Sequence, residues 1–433
     1  MSWSVPEPGA ASRARPAWRV SDGFLFLVAS SLLVAGLAWG LRRHWGLLIA
    51  WRPAGIRLVF DAYDIVHSYL PSSGWVASGG MPCVDSFSEY PLLANLLFGF
   101  CRLLAEIWPV LPTPASNMVW WWMALSLFSF AWVLRWAVRS AFRGAVVLLL
   151  LPASLFFTLY RYDFYPAALT LLGLVFCSRA RWLAASLSFG AVIALKGYLL
   201  FGVPAFAVFL AARMPWRRAL FHVGIVLAPF VVGNLMVGIM GDWKNVAWPY
   251  AFHARRPPNG ESTFDALAYL AGWSLGGTSG RRLLGEVVGV RWLWHVVQLG
   301  GAVLAAAFRP STVAELAKAF LFSILMFWNF EVFSSPQFVL WLIPLLCFVG
   351  PGRIFWAGAI VITIDYVCFP VLYDSRAALG TDLWFRLGIV AFTASRFALM
   401  VLAAQRWSRP LWGGLAGRTG DPPSRLARAH GLA

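Results

Sequence analysis

The sequence predicts an all-α polytopic membrane protein, and three observations carry that prediction. Sixty per cent of the 433 residues are hydrophobic and the mean hydropathy is +0.71. Only 12% are charged, far less than a soluble surface of this size requires. Apolar runs at or near the length of a bilayer span recur along the chain. In lipid each run has to be helical, because only a helix or a closed barrel satisfies its own backbone groups there.

The runs can be taken in order. A first span lies near residues 23–41 and a Trp-rich one near 118–138. Others follow near 144–160, 164–178, 182–195, 198–212 and 219–239. After a polar stretch they resume near 291–308, 314–330, 337–349, 354–373 and 383–404. That is about 12 spans with both termini on one side. Residues 1–22 are too long and polar to be a cleaved signal peptide, and their Arg13, Arg15 and Arg19 predict a cytoplasmic segment. Residues 406–433 read as a basic, disordered cytoplasmic tail.

The formal net charge is +17, almost all of it from Arg; Lys196, Lys244 and Lys318 are the only lysines. Such charge commonly marks nucleic-acid binding. Here the arginines are scattered between apolar runs, which argues for membrane anchoring and no nucleic acid. With a cytoplasmic N-terminus, Arg139, Arg143, Arg179, Arg181, Arg213, Arg217, Arg218, Arg309 and Arg353 all fall in cytoplasmic links. The short opposite links carry mainly Arg161, Lys196 and Arg376. This bias predicts the orientation by the positive-inside rule. It leaves two long outer loops, about 42–117 and 240–290, whose length exempts them from the rule. Within the first, 92–108 reads as an amphipathic helix on the membrane surface, with Arg102 and Glu106 on one face.

This topology puts several polar features on one side. The first loop holds "FDAYDIVHSYLPSSGWVASGGMPCVDSFSEYP", with Asp61, Asp64, Asp85 and Glu89. One aspartate could serve as a general base toward a hydroxyl, or both could be ordinary solvated acids. The four acids could also give oxygen ligands to a divalent metal. Glu89 could orient a substrate or cap the helix that begins at Pro91. Arg161 and Asp163 could pair within a turn or touch a sugar or phosphate. Lys196 ends an apolar run, where it must meet water, a carboxylate or an anion. His253, Arg255 and Arg256 form a cationic cluster suited to phosphate, next to Glu261 in sequence. Gln337 opens a run after Pro336 and could bond a ligand or the helix start.

Other chemistry is missing. Cys83, Cys101, Cys177, Cys347 and Cys368 have no metal-ligand spacing. There is no P-loop, HExxH or GxSxG with partners, and no doubly wound nucleotide-sugar domain.

In order and spacing, "YDIVHSYL", "GGMPCVDSFSEYPLL", "RYDFYPAALTLLGL", "LAASLSFGAVIALKGYLLFGVP" and "SPQFVLWLIP" resemble the polyprenol-phosphate-sugar-dependent glycosyltransferases of the GT-C class. The nearest likeness is to the bacterial α-mannosyltransferase branch that includes the phosphatidylinositol mannoside enzymes. The resemblance runs from Asp61 to Pro344. It implies a GT-C fold with a catalytic Asp in the first outer loop, flanked by membrane-surface helices. Asp64 matches that Asp best, with Asp61 as alternate. It implies a polyprenyl-phosphate sugar, most simply mannose, as donor, a lipid or glycan acceptor, and an active site on the outer face of the inner membrane. Lys196, Arg255 and Arg256 would then hold the donor phosphate. Glu89, Arg161, Asp163, His253, Glu261 and Gln337 would contact substrate. Two departures stand out: no early Pro follows Lys196, and Cys83 replaces a Tyr common in relatives. An arabinosyl transferase, an oligosaccharide polymerase or ligase using a lipid pyrophosphate, and a lipid or solute transporter remain as rivals.

Overall fold

The computed structural model describes residues 65–405 except 86–87, 140–143, 257, 260, 271–285, 287–289 and 374–382. The first predicted span, the tail, Asp61 and Asp64 lie outside the described residues. The described residues are helical, with no strand among them.

Short helical turns at Ile65–Tyr69, Leu70–Ser72 and Trp75–Ser78 precede α1, Leu92–Ile107. α2 is Pro114–Arg139. The run expected as one span at 144–160 is two helices, α3 (Gly144–Leu149) and α4 (Pro152–Tyr160). Pro152 causes the break: it lacks the N–H that would continue the ladder and starts a new helix well. α5 (Phe164–Ser178) and α6 (Trp182–Lys196) follow the apolar pattern closely. A 3₁₀ stretch, Tyr198–Gly202, leads into α7, Val203–Ala211, and α8 is Trp216–Met240.

The stretch expected as an outer loop at 240–290 is itself partly helical, with α9 at Trp243–Arg255 and α10 at Thr263–Leu270. α9 opens on Asp242, whose side chain accepts from the Lys244 N–H. Then come α11 (Arg291–Ala307) and α12 (Val313–Asn329). A reciprocal Thr312–Glu315 capping box starts α12. The 3₁₀ stretch Pro336–Trp341 runs into α13, Leu342–Val349. α14 (Arg353–Tyr366) passes into a π-helical segment, Val367–Leu372, and α15 is Leu383–Gln405.

Among the described residues three helices are long and apolar enough to cross a membrane: Pro114–Arg135, Trp216–Met240 and Leu383–Gln405. Shorter apolar helices pack around them, including Phe164–Ser178, Trp182–Lys196 and Trp292–Ala307. The protein is therefore a helical membrane-associated chain. Apolar residues face outward as well as inward. On α8, Phe221, Val231, Val232, Leu235 and Ile239 are exposed, as suits a lipid-facing helix.

Close approach comes from small residues. A methyl group on Gly190 would meet Val226 O at 2.9 Å and Pro229 at 3.0 Å, so α6 and α8 touch backbone to backbone there. α1 packs on α2, α6 and α8 through Ala94, Asn95, Phe98, Gly99, Cys101 and Ala105. Its opposite face exposes Leu96, Phe100, Leu103 and Ile107, beside an Arg102–Glu106 pair at 2.8 Å.

Candidate functional site

The loop before α1 is held by one side chain. Asn95 Nδ2 donates to Tyr90 O (2.8 Å), Pro91 O (3.1 Å) and Cys83 Sγ (3.1 Å). Ser88 Oγ donates to Asn95 Oδ1 at 2.9 Å. Cys83 carries a left-handed φ of 59°, which a non-glycine residue keeps only when its surroundings impose it. From α9, Asn245 Nδ2 donates to Val84 O at 2.7 Å. These bonds fix where Glu89 and Tyr90 project.

Glu89 does not cap α1. Pro91 stands at the N-cap of that helix, and no side chain makes a cap bond there. Instead, Glu89 Oε2 accepts from Arg256 Nη2 at 2.8 Å, across 167 residues. The long-range cation outcompetes the local N-terminus because a guanidinium carries a full positive charge where a helix end carries about half of one. The Arg256 guanidinium also lies over Phe252 (4.6 Å) and Phe333 (4.4 Å). His253 Nε2 donates to the Glu89 carbonyl at 3.1 Å; a carbonyl only accepts, so the proton sits on Nε2. Partial burial, then the positive charges of Arg256 and Lys196, hold this imidazole below its ordinary value and neutral.

The second pair sits deeper. α6 ends at Lys196 because Gly197 takes φ +77°, a conformation glycine adopts freely. Lys196 Nζ then reaches Asp163 at 3.3 Å. Asp163 is fully buried and also accepts from Trp341 Nε1 at 3.0 Å. The ammonium lies 4.3 Å from the Tyr162 ring centroid. Tyr162 meets Tyr69, Tyr90 and Phe98 edge-on, at 5.9, 5.6 and 5.6 Å. Burial, then the Asp163 charge, raises the Tyr162 phenol well above its ordinary value; burial and Glu89 do the same to Tyr90. Both are hydrogen-bond donors, not bases.

The sequence-derived residues therefore divide. Glu89, Asp163, Lys196, His253 and Arg256 come together at one end of the bundle, with Arg161 within electrostatic reach of Lys196. Arg255 does not join them; it is exposed, and the cluster expected at 253–256 separates into His253 and Arg256 on Glu89 and Arg255 apart. Glu261 senses Arg161, at the edge of that cluster, and Arg396 beyond it. Gln337 is buried in the 3₁₀ turn after Pro336. Asp85 spends Oδ2 on the Met81 N–H at 2.6 Å. Among the described residues no three ligating side chains gather for a metal.

Sequence reasoning missed the roles of Trp341, Tyr162 and Asn95, and the clasp in which Asn259 exchanges two bonds with the Ser334 backbone (2.6 and 3.0 Å). Asn95 had a signal, a polar residue in an apolar run. Trp341 had none, since its partner is 178 residues away. A cleft of about 280 Å³ lies elsewhere, between α1 and the start of α2, and shares none of the site residues. Comparisons with family models, curated proteins and solved structures find no match to this chain.

Proposed function

We propose that the chain is an integral-membrane glycosyltransferase of the GT-C type, moving a sugar, most simply mannose, from a polyprenyl-phosphate donor to a lipid or glycan acceptor. The observation that carries this reading is the gathering of Arg256, Lys196 and His253 with Glu89 and Asp163 at one end of an apolar bundle. The motif order from Asp61 to Pro344 supports it. The rest of the expected architecture, about twelve spans with the site on the outer face of the inner membrane and both termini cytoplasmic, belongs to the same proposal.

Each group has a task on this reading. The donor already carries its leaving group, so no nucleotide domain is needed. Arg161 and Arg256 are partly exposed and can meet the phosphate oxygens. Lys196 is committed first to Asp163, so it positions the turn and lends a positive field rather than a free ammonium. An acceptor hydroxyl oxygen attacks C1 of the sugar. Asp64, or Asp61, takes the hydroxyl proton as the C1–O bond to phosphate breaks and the phosphate leaves with the electron pair. Direct displacement inverts the anomeric centre.

The test offers purified protein labelled polyprenyl-phosphate-mannose and a panel of acceptors, beside Asp64→Ala and Asp61→Ala. Transfer by the wild type, lost in one variant, supports the proposal. Full activity in both variants removes the base assignment, and no transfer to any acceptor removes the enzyme reading. One observation favours a transporter instead: Arg396 and Asp365 are fully buried within helices of the bundle, where charge marks a transport path. Uptake of labelled lipid into proteoliposomes without bond cleavage would favour that second reading.

A further inference from the structure

Three ionisable side chains outside that site each leave at least one hydrogen-bonding atom unused. Arg396 lies within α15 and is fully buried. Nη1 donates to Ser334 Oγ (3.5 Å), and Nη2 to Thr263 Oγ1 (3.2 Å) and Thr393 Oγ1 (3.4 Å). Its guanidinium rests on Trp328 (4.8 Å) and Phe392 (4.7 Å). All these neighbours are neutral, and Nε has no partner. Asp365, at the end of α14, is fully buried with neither carboxylate oxygen bonded. Glu261, two residues before Thr263, has a buried and unbonded Oε2.

The three sense one another's charge, and Cys368, three residues beyond Asp365, senses both acids. Yet no ion pair joins them among the described residues. Packing explains the convergence: α14 and α10 both lie on α15, and Thr263 fastens α10 to Arg396. Unbonded buried charges are costly, and native interiors rarely keep them dry. A direct contact among the three would have been the cheaper arrangement. Its absence leaves acceptors on Asp365 and Glu261 and a donor on Arg396 unspent.

The donors and acceptors of the set decide what fits. Two carboxyl groups crowd the one guanidinium with oxygen, so a phosphate belongs with Arg256 and not here. A hydroxyl meets the set better, since it donates to a carboxylate and accepts from Nε–H at once. Vicinal hydroxyls would meet both acids together. We propose that Glu261, Asp365 and Arg396 form a binding site for a polyol, a sugar ring or cyclitol, entered past the partly exposed Glu261. This is a statement about binding, and it holds whether the bound polyol is transferred or carried.

The test is thermal unfolding of the full chain in detergent micelles, titrated with methyl α-mannoside and with myo-inositol against betaine at matched osmolality. A saturable rise in Tm is expected for the wild type and for the remote variant Glu106→Gln. Titrated above about pH 8, where the Glu261 carboxyl is ionised, Asp365→Asn and Glu261→Gln should each raise the half-saturation concentration about tenfold, the loss of one hydrogen bond. Glu261 is partly exposed, so its variant keeps the test alive if Asp365→Asn does not fold. A parallel titration with octyl α-mannoside separates sources: tighter binding than the methyl glycoside points to a lipid-linked polyol, equal binding to a free one. No saturable shift with any of these polyols overturns the proposal. So does a shift unchanged in both variants, or saturation by sodium ions alone.

Discussion

Two polar regions lie in the same greasy bundle and are built on opposite terms. Around Asp163 the strong groups are partnered: the carboxylate by Lys196 and Trp341, and the ammonium also by the Tyr162 ring. Around Arg396 the charges approach but do not meet, and Asp365 holds two unbonded oxygens. A paired charge in an apolar interior is a structural commitment, since breaking it strands its partner. An unpaired one is a standing cost, which evolution keeps only where something else meets the group. The contrast separates a scaffold from a receptacle, and it can be broken by substitution.

The largest effect is expected at the paired site. Lys196→Met leaves the Asp163 carboxylate buried with only the Trp341 N–H, and should destabilise the protein by about 3–5 kcal/mol. Adding Asp163→Asn should recover most of that loss, because the stranded charge is gone. Unfolding in mixed micelles of the two single variants and the double variant measures it. A double variant no better than Lys196→Met alone would mean that the pair is not the keystone of this end.

The second region should respond with the opposite sign. Asp365→Asn removes a buried charge that bonds nothing, so it should stabilise the protein by about 1–3 kcal/mol in the absence of ligand. The same substitution is expected to weaken polyol binding. Gaining stability while losing a ligand is the signature of a functional charge; losing both would class Asp365 with Asp163.

How much of this contrast was visible in the sequence follows from distance along the chain. Helices α5 and α6 were legible because each is an uninterrupted apolar run ended by Arg179–Arg181 or by Gly197. The run at 144–160 misled because its composition is uniform and Pro152 was read as part of it. Lys196 and Arg396 announced themselves as rare charges in apolar surroundings. Their partners did not: Asp163 reaches Trp341 across 178 residues, and Arg396 reaches Thr263 across 133. Of the two readings open for Glu89, substrate contact or helix cap, the cap gave way to Arg256, a partner 167 residues away that local reasoning does not see. The opening acids at Asp61 and Asp64 fall outside the described residues, so their part in the site rests on motif order.

A pH titration sharpens the comparison at Glu261. Burial pushes its carboxyl up to about 8 against an ordinary value of 4.5, with Arg161 and Arg396 pulling the other way. Between those values the folded protein holds a proton that the unfolded chain has released. This group's contribution to stability therefore falls as pH rises from about 4.5 through about 8, and is flat outside that window. Glu261→Gln mimics the neutral form. The wild type should match the variant below pH 4.5 and lose Tm relative to it across the window. Parallel curves would show that the Glu261 carboxyl is not desolvated and is no part of the set.

The smallest effect belongs to Glu89 and Arg256. Their side chains are 20% and 28% exposed, so solvent screens the 2.8 Å pair. A double-mutant cycle of Glu89→Gln and Arg256→Gln should give a coupling of about 1 kcal/mol or less. Partial exposure is also what makes the pair useful. A phosphate that competes for Arg256 displaces a weak partner, whereas at Lys196 it would have to displace a buried one. Added inorganic phosphate should therefore reduce the Glu89–Arg256 coupling while leaving the Lys196–Asp163 coupling unchanged. If phosphate weakens the deeper pair instead, the anion enters at Lys196, and Arg256 is the scaffold.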